Sequence, residues 1–357
     1  METAVNNVRV GDRIRHIHIA DGVIAAVSDT PRRGGFDAGG LRAVPGLVDI
    51  HAHGAMGHDT MDADFAALCD YMARHGTTSW LPTTMTESRE ALQRVARARR
   101  DVHGAHILGI HLEGPYIAPG RRGAQNPAHI RRPDAAEVRS FPDARLVTVA
   151  PEVDGALDFI RELAPECVIA LGHTDCDETT ARAAFAAGAR SLTHIFNAMP
   201  PFLHRAPGPI GAALTCGAVV QLIGDGLHVA PSVVLATCRA FGPDHVALIS
   251  DSIRPAGLPD GTVCDCGGLK VALRDGQARL PDGTLAGSTS TLWQCVRRTV
   301  ECGVPFDDAV RMATRTPADL LNVRKGRLEP GYDADILLVD DSLALRQVFL
   351  LGEAYPA

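Results

Sequence analysis

The sequence predicts an α/β protein built around a (β/α)8 TIM-type barrel, with a small β-sandwich domain assembled from both chain termini. Three observations carry this prediction. Short apolar runs alternate with helical patterns from residue 49 to residue 319, which implies parallel βα units over about the length such a barrel takes. Eight such runs occur, the number a closed barrel needs. Both chain ends instead have the texture of short strands and turns, so residues 1–48 and 320–357 are expected to pair into one separate unit.

In chain order, VRVGDRIRHIHIADGVIAAV alternates apolar and polar residues around Asp21-Gly22, a hairpin dipeptide. Barrel strands are expected in LVDIHAH, SWLPTT, HILGIHLEG, RLVTVAPE, VIALGHT, SLTHIFNA, VVQLIGDG and VALISDS. Helices are expected in DADFAALCDYMARHG, ESREALQRVARARRDVHG, DETTARAAFAAG and STLWQCVRRTVECG. From Gly326 the strand texture returns, with a turn at Gly331 and Asp333 and ILLV as a buried strand. A doubly wound sheet is the competing architecture, but no G-x-G-x-x-G follows the first strand.

Of 357 residues, 46% are hydrophobic and 22% charged, enough to bury a large core and too apolar for a disordered chain. The formal net charge of -7 argues against a nucleic-acid or anionic-membrane partner. With no long apolar run and no basic-then-apolar leader, the protein is expected to be soluble and cytoplasmic. Nine cysteines are scattered without a CxxC pair, which supports neither a disulfide framework nor a zinc ribbon. Cys264 and Cys266 form a CxC with no further ligands and read as buried or strand thiols. The 15 histidines are the compositional oddity.

His51, His53, Glu113, His173, His194 and Asp251 each fall at the C-terminal end of an expected strand, the catalytic face of a barrel. A period of two puts His51 and His53 on one side of their strand. One histidine after a strand is more often a core or loop residue; six ligand-type residues at successive strand ends are not. Four imidazoles and two carboxylates suit one or two divalent metal ions per subunit, Zn foremost, Fe or Mn as alternatives. Such ions make water a nucleophile at neutral pH, so hydrolysis of a carbonyl or phosphoryl bond is expected.

The motifs PGLVDIHAHG, HLEGPYI, GHTDC, THIFNAMPPF, DGLHV and ISDSIRPAG, followed by LAGSTSTLWQ and GRLEPGYDADILLVD, resemble the amidohydrolase superfamily. Within it the chain is most similar, over residues 8–352, to the N-acetylglucosamine-6-phosphate deacetylase family. The resemblance implies the same barrel-plus-sandwich fold. It also implies hydrolysis of the acetamido group of N-acetyl-D-glucosamine 6-phosphate to D-glucosamine 6-phosphate and acetate, a step of amino-sugar catabolism.

Carried over residue by residue, the resemblance makes Glu113, His173 and His194 the ligands of the principal metal, with Glu113 able to bridge to a second ion near His51, His53 and Asp251. Asp251 is read as the general base and acid, taking a proton from water and returning it to the amine leaving group. Arg205 matches a phosphate-binding arginine supplied across a homodimer interface. His228, Asn197 and Ala198 match further contacts to the phosphosugar, Leu285, Ala286, Gly287 and Ser288 a loop closing the pocket, and Ala124 and Gln125 the acyl end. Two departures stand out. Gln125 replaces a histidine that in some members hydrogen-bonds the amide carbonyl, and Ile253 and Arg254 put bulk and a cation just after Asp251.

A related amidohydrolase acting on another N-acetylated amino sugar, such as N-acetylgalactosamine 6-phosphate, or on another N-acyl or cyclic amide is the alternative enzyme. A catalytically silent sugar-binding barrel is the non-enzymatic one. The remaining histidines read as structural or solvated, with His111, two residues before Glu113, expected to support the site from behind.

Overall fold

The computed structural model describes residues 2–356. Its centre is a barrel of eight parallel strands: β1 (Leu47–Ala52), β2 (Thr77–Thr84), β3 (Ile110–Glu113), β4 (Ala144–Val149), β5 (Val168–Leu171), β6 (Ser191–Leu192), β7 (Val219–Ile223) and β8 (Val246–Ile249). Each pairs with the next in chain order. They are the eight apolar runs of the sequence.

Between β8 and β1 no regular ladder forms among the described residues, and the seam is closed by individual hydrogen bonds. Asp251 N–H donates to the His51 carbonyl (2.9 Å) and His53 N–H to the Ser252 carbonyl (2.7 Å). Asp49 Oδ1 accepts from the N–H groups of His51 (3.1 Å) and Ser250 (3.4 Å). Functional residues thus sit where the barrel closes.

Alternation sorts the strand residues. Leu112, Val147, Ile169, Leu192, Val220 and Leu248 face outward into the large core shared with the surrounding helices. Val48, Ile50, Leu81, Leu146, Ala170 and Ile249 face inward and meet Ala318, Leu320 and Leu321 of the helix Arg315–Leu321, which stops the lower end of the barrel. The interior is therefore packed below, and only its upper end is free for polar side chains. Helices Ala66–Arg74, Arg89–Ala96, Glu178–Ala186 and Leu292–Glu301 lie within the four segments predicted to be helical. The last begins with a capping box, in which Thr291 and Gln294 each satisfy the other's backbone N–H.

The termini form one eight-stranded sheet, in which Ile336–Val339 pairs antiparallel with Arg42–Pro45 and so joins the two ends of the chain. Asp21 and Gly22 have φ of 50° and 78°, the left-handed pair that a tight hairpin needs. The sheet returns on itself: Ala334 N–H donates to the Gly22 carbonyl and Ile24 N–H to the Tyr332 carbonyl, both at 2.8 Å. The expected sandwich is thus one continuous sheet closed around Val8, Ile17, Ile19, Ile336, Leu338 and Phe349.

Among the elements that went unpredicted is a small sheet. Between β8 and the helix Leu292–Glu301 lies a three-stranded antiparallel sheet, Val263–Cys266, Leu269–Arg274 and Gln277–Arg279, over a small core that includes Ile253, Val271 and Ala286. Its strands are short and joined by turns at Gly267-Gly268 and Asp275-Gly276. Cys264 and Cys266 lie on its first strand as unpaired thiols, as expected.

Candidate metal centre and its cavity

Simple alternation does not deliver the six ligand-type residues to one place; local irregularities do. In β1, Val48 and Ile50 point inward, yet His51 and His53 do too, because the register against β2 shifts between Asp49 and Ala52. That bulge re-phases the strand just before its polar end. In β5, Ala170 and Gly172 take the inward positions, and His173 reaches the mouth only by adopting φ 47°. His194 (φ 24°) and Asp251 (φ 48°) leave their strands in the same left-handed region. A non-glycine residue there is strained, and such strain gathers at functional sites.

The side chains converge. Glu113 Oε1 lies 3.1 Å from His173 Nε2 and 2.9 Å from His194 Nε2, while Oε2 lies 3.1 Å from His53 Nε2. Asp251 Oδ1 is 3.4 Å from both His51 Nε2 and His53 Nε2. The Nε2 atoms of His51 and His53 are 3.2 Å apart, and those of His173 and His194 3.1 Å. Glu113, His173 and His194 form one group of donors and His51, His53 and Asp251 another, all buried.

The opposite ring nitrogens explain this crowding. His53 Nδ1 donates to the Thr83 carbonyl (3.1 Å), His173 Nδ1 to the Arg121 carbonyl (2.8 Å) and His51 Nδ1 to Gln221 Oε1 (3.0 Å). A carbonyl can only accept, so these partners fix the proton on Nδ1 and leave the Nε2 lone pairs aimed at one another, the arrangement of metal-ligating imidazoles. His194 Nδ1 is buried without a partner.

The charges agree. Burial opposes ionisation of Glu113, but the imidazoles of His51 and His173 hold its carboxyl well below the usual range. Asp251 is lowered by His51 and His53 against the same burial cost. Burial disfavours the cationic form of His53 as well, yet the Asp251 and Glu113 carboxylates, accepting from its Nε2, raise its pKa to about 10. Two buried carboxylates with no Lys or Arg paired to them among the described residues make a site that calls for positive charge between them. The donor set fits divalent cations.

His111 lies behind His51. Its ring stands edge-on to His51 (4.6 Å between centroids), with Nδ1 near the Ile50 carbonyl (3.1 Å) and Nε2 near Thr148 Oγ1 (2.9 Å). Burial pushes its pKa well below the ordinary value, so it braces His51 as a neutral ring.

Above the donors opens a cavity of about 520 Å³, lined by His53, Glu113, His173, His194 and Asp251 and by Ala124, Gln125, Asn197, Ala198, His228 and the loop Leu285, Ala286 and Gly287. His228 Nδ1 bonds Asp225 Oδ2 at 2.7 Å, and that carboxylate raises its pKa against the effect of burial.

The structure places four further residues of the sequence reading as follows. Ser288 does not line the cavity: it is buried behind Gly287, its N–H on the Asp251 carbonyl (2.8 Å). Gln125 turns its amide NH2 to Glu113 Oε2 (2.6 Å) rather than to an acyl group, because the Thr86 N–H occupies its oxygen (2.6 Å). Arg254 brings no free cation to the site, since it is paired with Asp62 (2.8 Å) and the Gly57 carbonyl (2.9 Å). Arg205 is exposed on the turn between Leu203 and Ala206 and does not line the cavity of its own chain.

Arg121 and Arg279 do line the cavity and were not foreseen. Arg121 lay in view in GRRG, but Arg279 belongs to the unpredicted sheet.

Residues 42–355 match the family description "Amidohydrolase family". The chain belongs to the amidohydrolase family. Among this amidohydrolase's relatives is the N-acetylgalactosamine-6-phosphate deacetylase of Escherichia coli O157:H7, 38% identical over 94% of this chain and 93% of that one. The N-acetylglucosamine-6-phosphate deacetylase of Bacillus subtilis is 40% identical over 83% of this chain and 80% of its own. A mutant N-acetyl-D-glucosamine-6-phosphate deacetylase from Mycobacterium smegmatis, solved in complex with N-acetyl-D-glucosamine-6-phosphate, superposes with a TM-score of 0.91 at 36% identity, covering 99% of this chain and 98% of that one. No helix among the described residues of the amidohydrolase is long and apolar enough to cross a membrane.

Proposed function

We propose that this amidohydrolase removes the N-acetyl group of N-acetyl-D-glucosamine 6-phosphate, giving D-glucosamine 6-phosphate and acetate. The observation that carries the reading is Glu113 set between His173 and His194 on the floor of a cavity whose other wall holds Asp251. The names of the Bacillus and Mycobacterium relatives supply the substrate class.

In this reading Glu113, His173 and His194 hold one divalent ion and His51, His53 and Asp251 a second, Zn foremost with Fe or Mn as alternatives. Such an ion supplies Lewis-acid polarisation of the acyl oxygen and a lowered pKa for water. Asp251 accepts the proton of the attacking water and hands it to the departing amine, which leaves poorly without it. His228, whose pKa the Asp225 carboxylate raises, and Asn197 orient the phosphosugar.

Arg205 serves the cavity of a second copy in a homodimer, binding phosphate with its planar fork. Its exposure supports this, as do Phe202 and Leu203 beside it, each 52% exposed. Catalysis belongs to the barrel, residues 49–319, and residues 1–48 with 320–357 form the second domain. Nine unpaired cysteines favour a reducing, cytoplasmic setting.

The test is a substrate panel: the 6-phosphates of N-acetylglucosamine and N-acetylgalactosamine, and unphosphorylated N-acetylglucosamine, assayed for acetate. The glucosamine phosphate should have the highest kcat/KM, and Arg205→Ala should raise KM for it without a matching loss of kcat. Preference for the unphosphorylated sugar, or an unchanged KM in Arg205→Ala, contradicts the reading.

A further inference from the structure

Gln125 is buried at 3% exposure beside the donors, and both ends of its amide are engaged. The Thr86 backbone N–H can only donate, so the atom it meets at 2.6 Å is Oε1, and the orientation of the amide follows. The NH2 then points at Glu113 Oε2, also at 2.6 Å. The Glu113 carboxylate has no other amide or hydroxyl partner among the described residues; the rest of its contacts are imidazoles.

Ring nitrogens approach both oxygens of this carboxylate, Oε1 from His51, His173 and His194 and Oε2 from His53, so they do not by themselves fix the rotation about its last bond. Gln125 supplies the single neutral donor that sets it. We infer that Gln125 is the positioning residue of Glu113: it pins Oε2 so that Oε1 is presented to His173 and His194. The backbone holds the amide in turn, through Thr86 N–H and through Gln125 N–H on the Arg122 carbonyl (2.9 Å), so the alignment exists before any ion arrives. This rests on the metal-binding reading of the Glu113 triad and adds a residue to it.

The test is metal affinity, read apart from activity. Apo-protein is titrated with Zn2+ or Co2+ against a chromophoric chelator for the wild type, Gln125→Met and Glu113→Gln, with the melting temperature of each apo-protein recorded. Gln125→Met keeps the length of the side chain and loses both hydrogen bonds. Its tightest site should weaken about tenfold or more, the usual effect of losing a partner behind a ligand. The apo melting temperature should fall modestly, since the buried Thr86 N–H loses its acceptor. Unaltered affinity overturns the inference, and so does an affinity loss confined to the second, weaker site. If the wild type binds no tighter than Glu113→Gln, it is the metal-binding reading that fails.

Discussion

His51 Nε2 and His53 Nε2 face each other at 3.2 Å, each ring held from behind by an oxygen on its Nδ1. Two lone pairs brought this close repel unless a cation or a proton lies between them. Replacing both residues by alanine should therefore lower bound metal by one equivalent in elemental analysis of protein purified from metal-supplemented medium. The Glu113, His173 and His194 site should keep its ion. Unchanged metal content would place no ion at the histidine pair.

Asp251→Asn keeps the size of the side chain and removes the base. The expected result is a loss of kcat of about 10²–10⁴, the contribution of a well-placed proton-transfer group. Substrate affinity by calorimetry should change little. A kcat within a few-fold of wild type, measured at equal metal content, rules out the proton-transfer role.

Asp225 and His228 predict a pH dependence of defined sign. The carboxylate raises the pKa of His228, so that stabilisation is complete below the imidazole's ordinary value and is lost as pH climbs through the raised one. His228, in turn, lowers the pKa of Asp225 despite burial, and this part is lost only as pH falls through the depressed value. Asp225→Asn should lower the titration midpoint of His228 followed by NMR, and raise KM above about pH 7, where a lone imidazole is neutral. A midpoint that stays put contradicts the pairing.

At Gly172 a Cβ would lie 2.6 Å from Thr193 Cβ and 2.9 Å from Thr148 Cγ2. Gly172→Ala should cost about 1–3 kcal/mol of stability, as overpacking does, measured by chemical denaturation. It should also weaken metal binding, because His173 is the next residue and Thr148 bonds His111. An alanine variant as stable as wild type means that this contact relaxes freely.

The barrel was legible because burial on both sides makes its strands continuous apolar runs, and the ligand-type residues were legible because each ends such a run. What places them was not. The bulge between Asp49 and Ala52 and the left-handed φ at His173 and His194 leave no pattern in composition or period. The role of Gln125 depends on Thr86, 39 positions away in the chain, which no local reading connects. The sheet carrying Arg279 pairs Leu269–Arg274 with two flanking strands of only four and three residues, too short to show a period of two.

The central claim, that a metal ion held by Glu113, His173 and His194 drives deacetylation, is tested most directly by measuring acetate release from N-acetyl-D-glucosamine 6-phosphate after chelation and dialysis, and again after adding back one divalent metal at a time. Stripped protein should release no acetate, and activity should return in proportion to bound metal in the wild type but not in Glu113→Gln. Full activity in protein shown by elemental analysis to carry no metal contradicts the account.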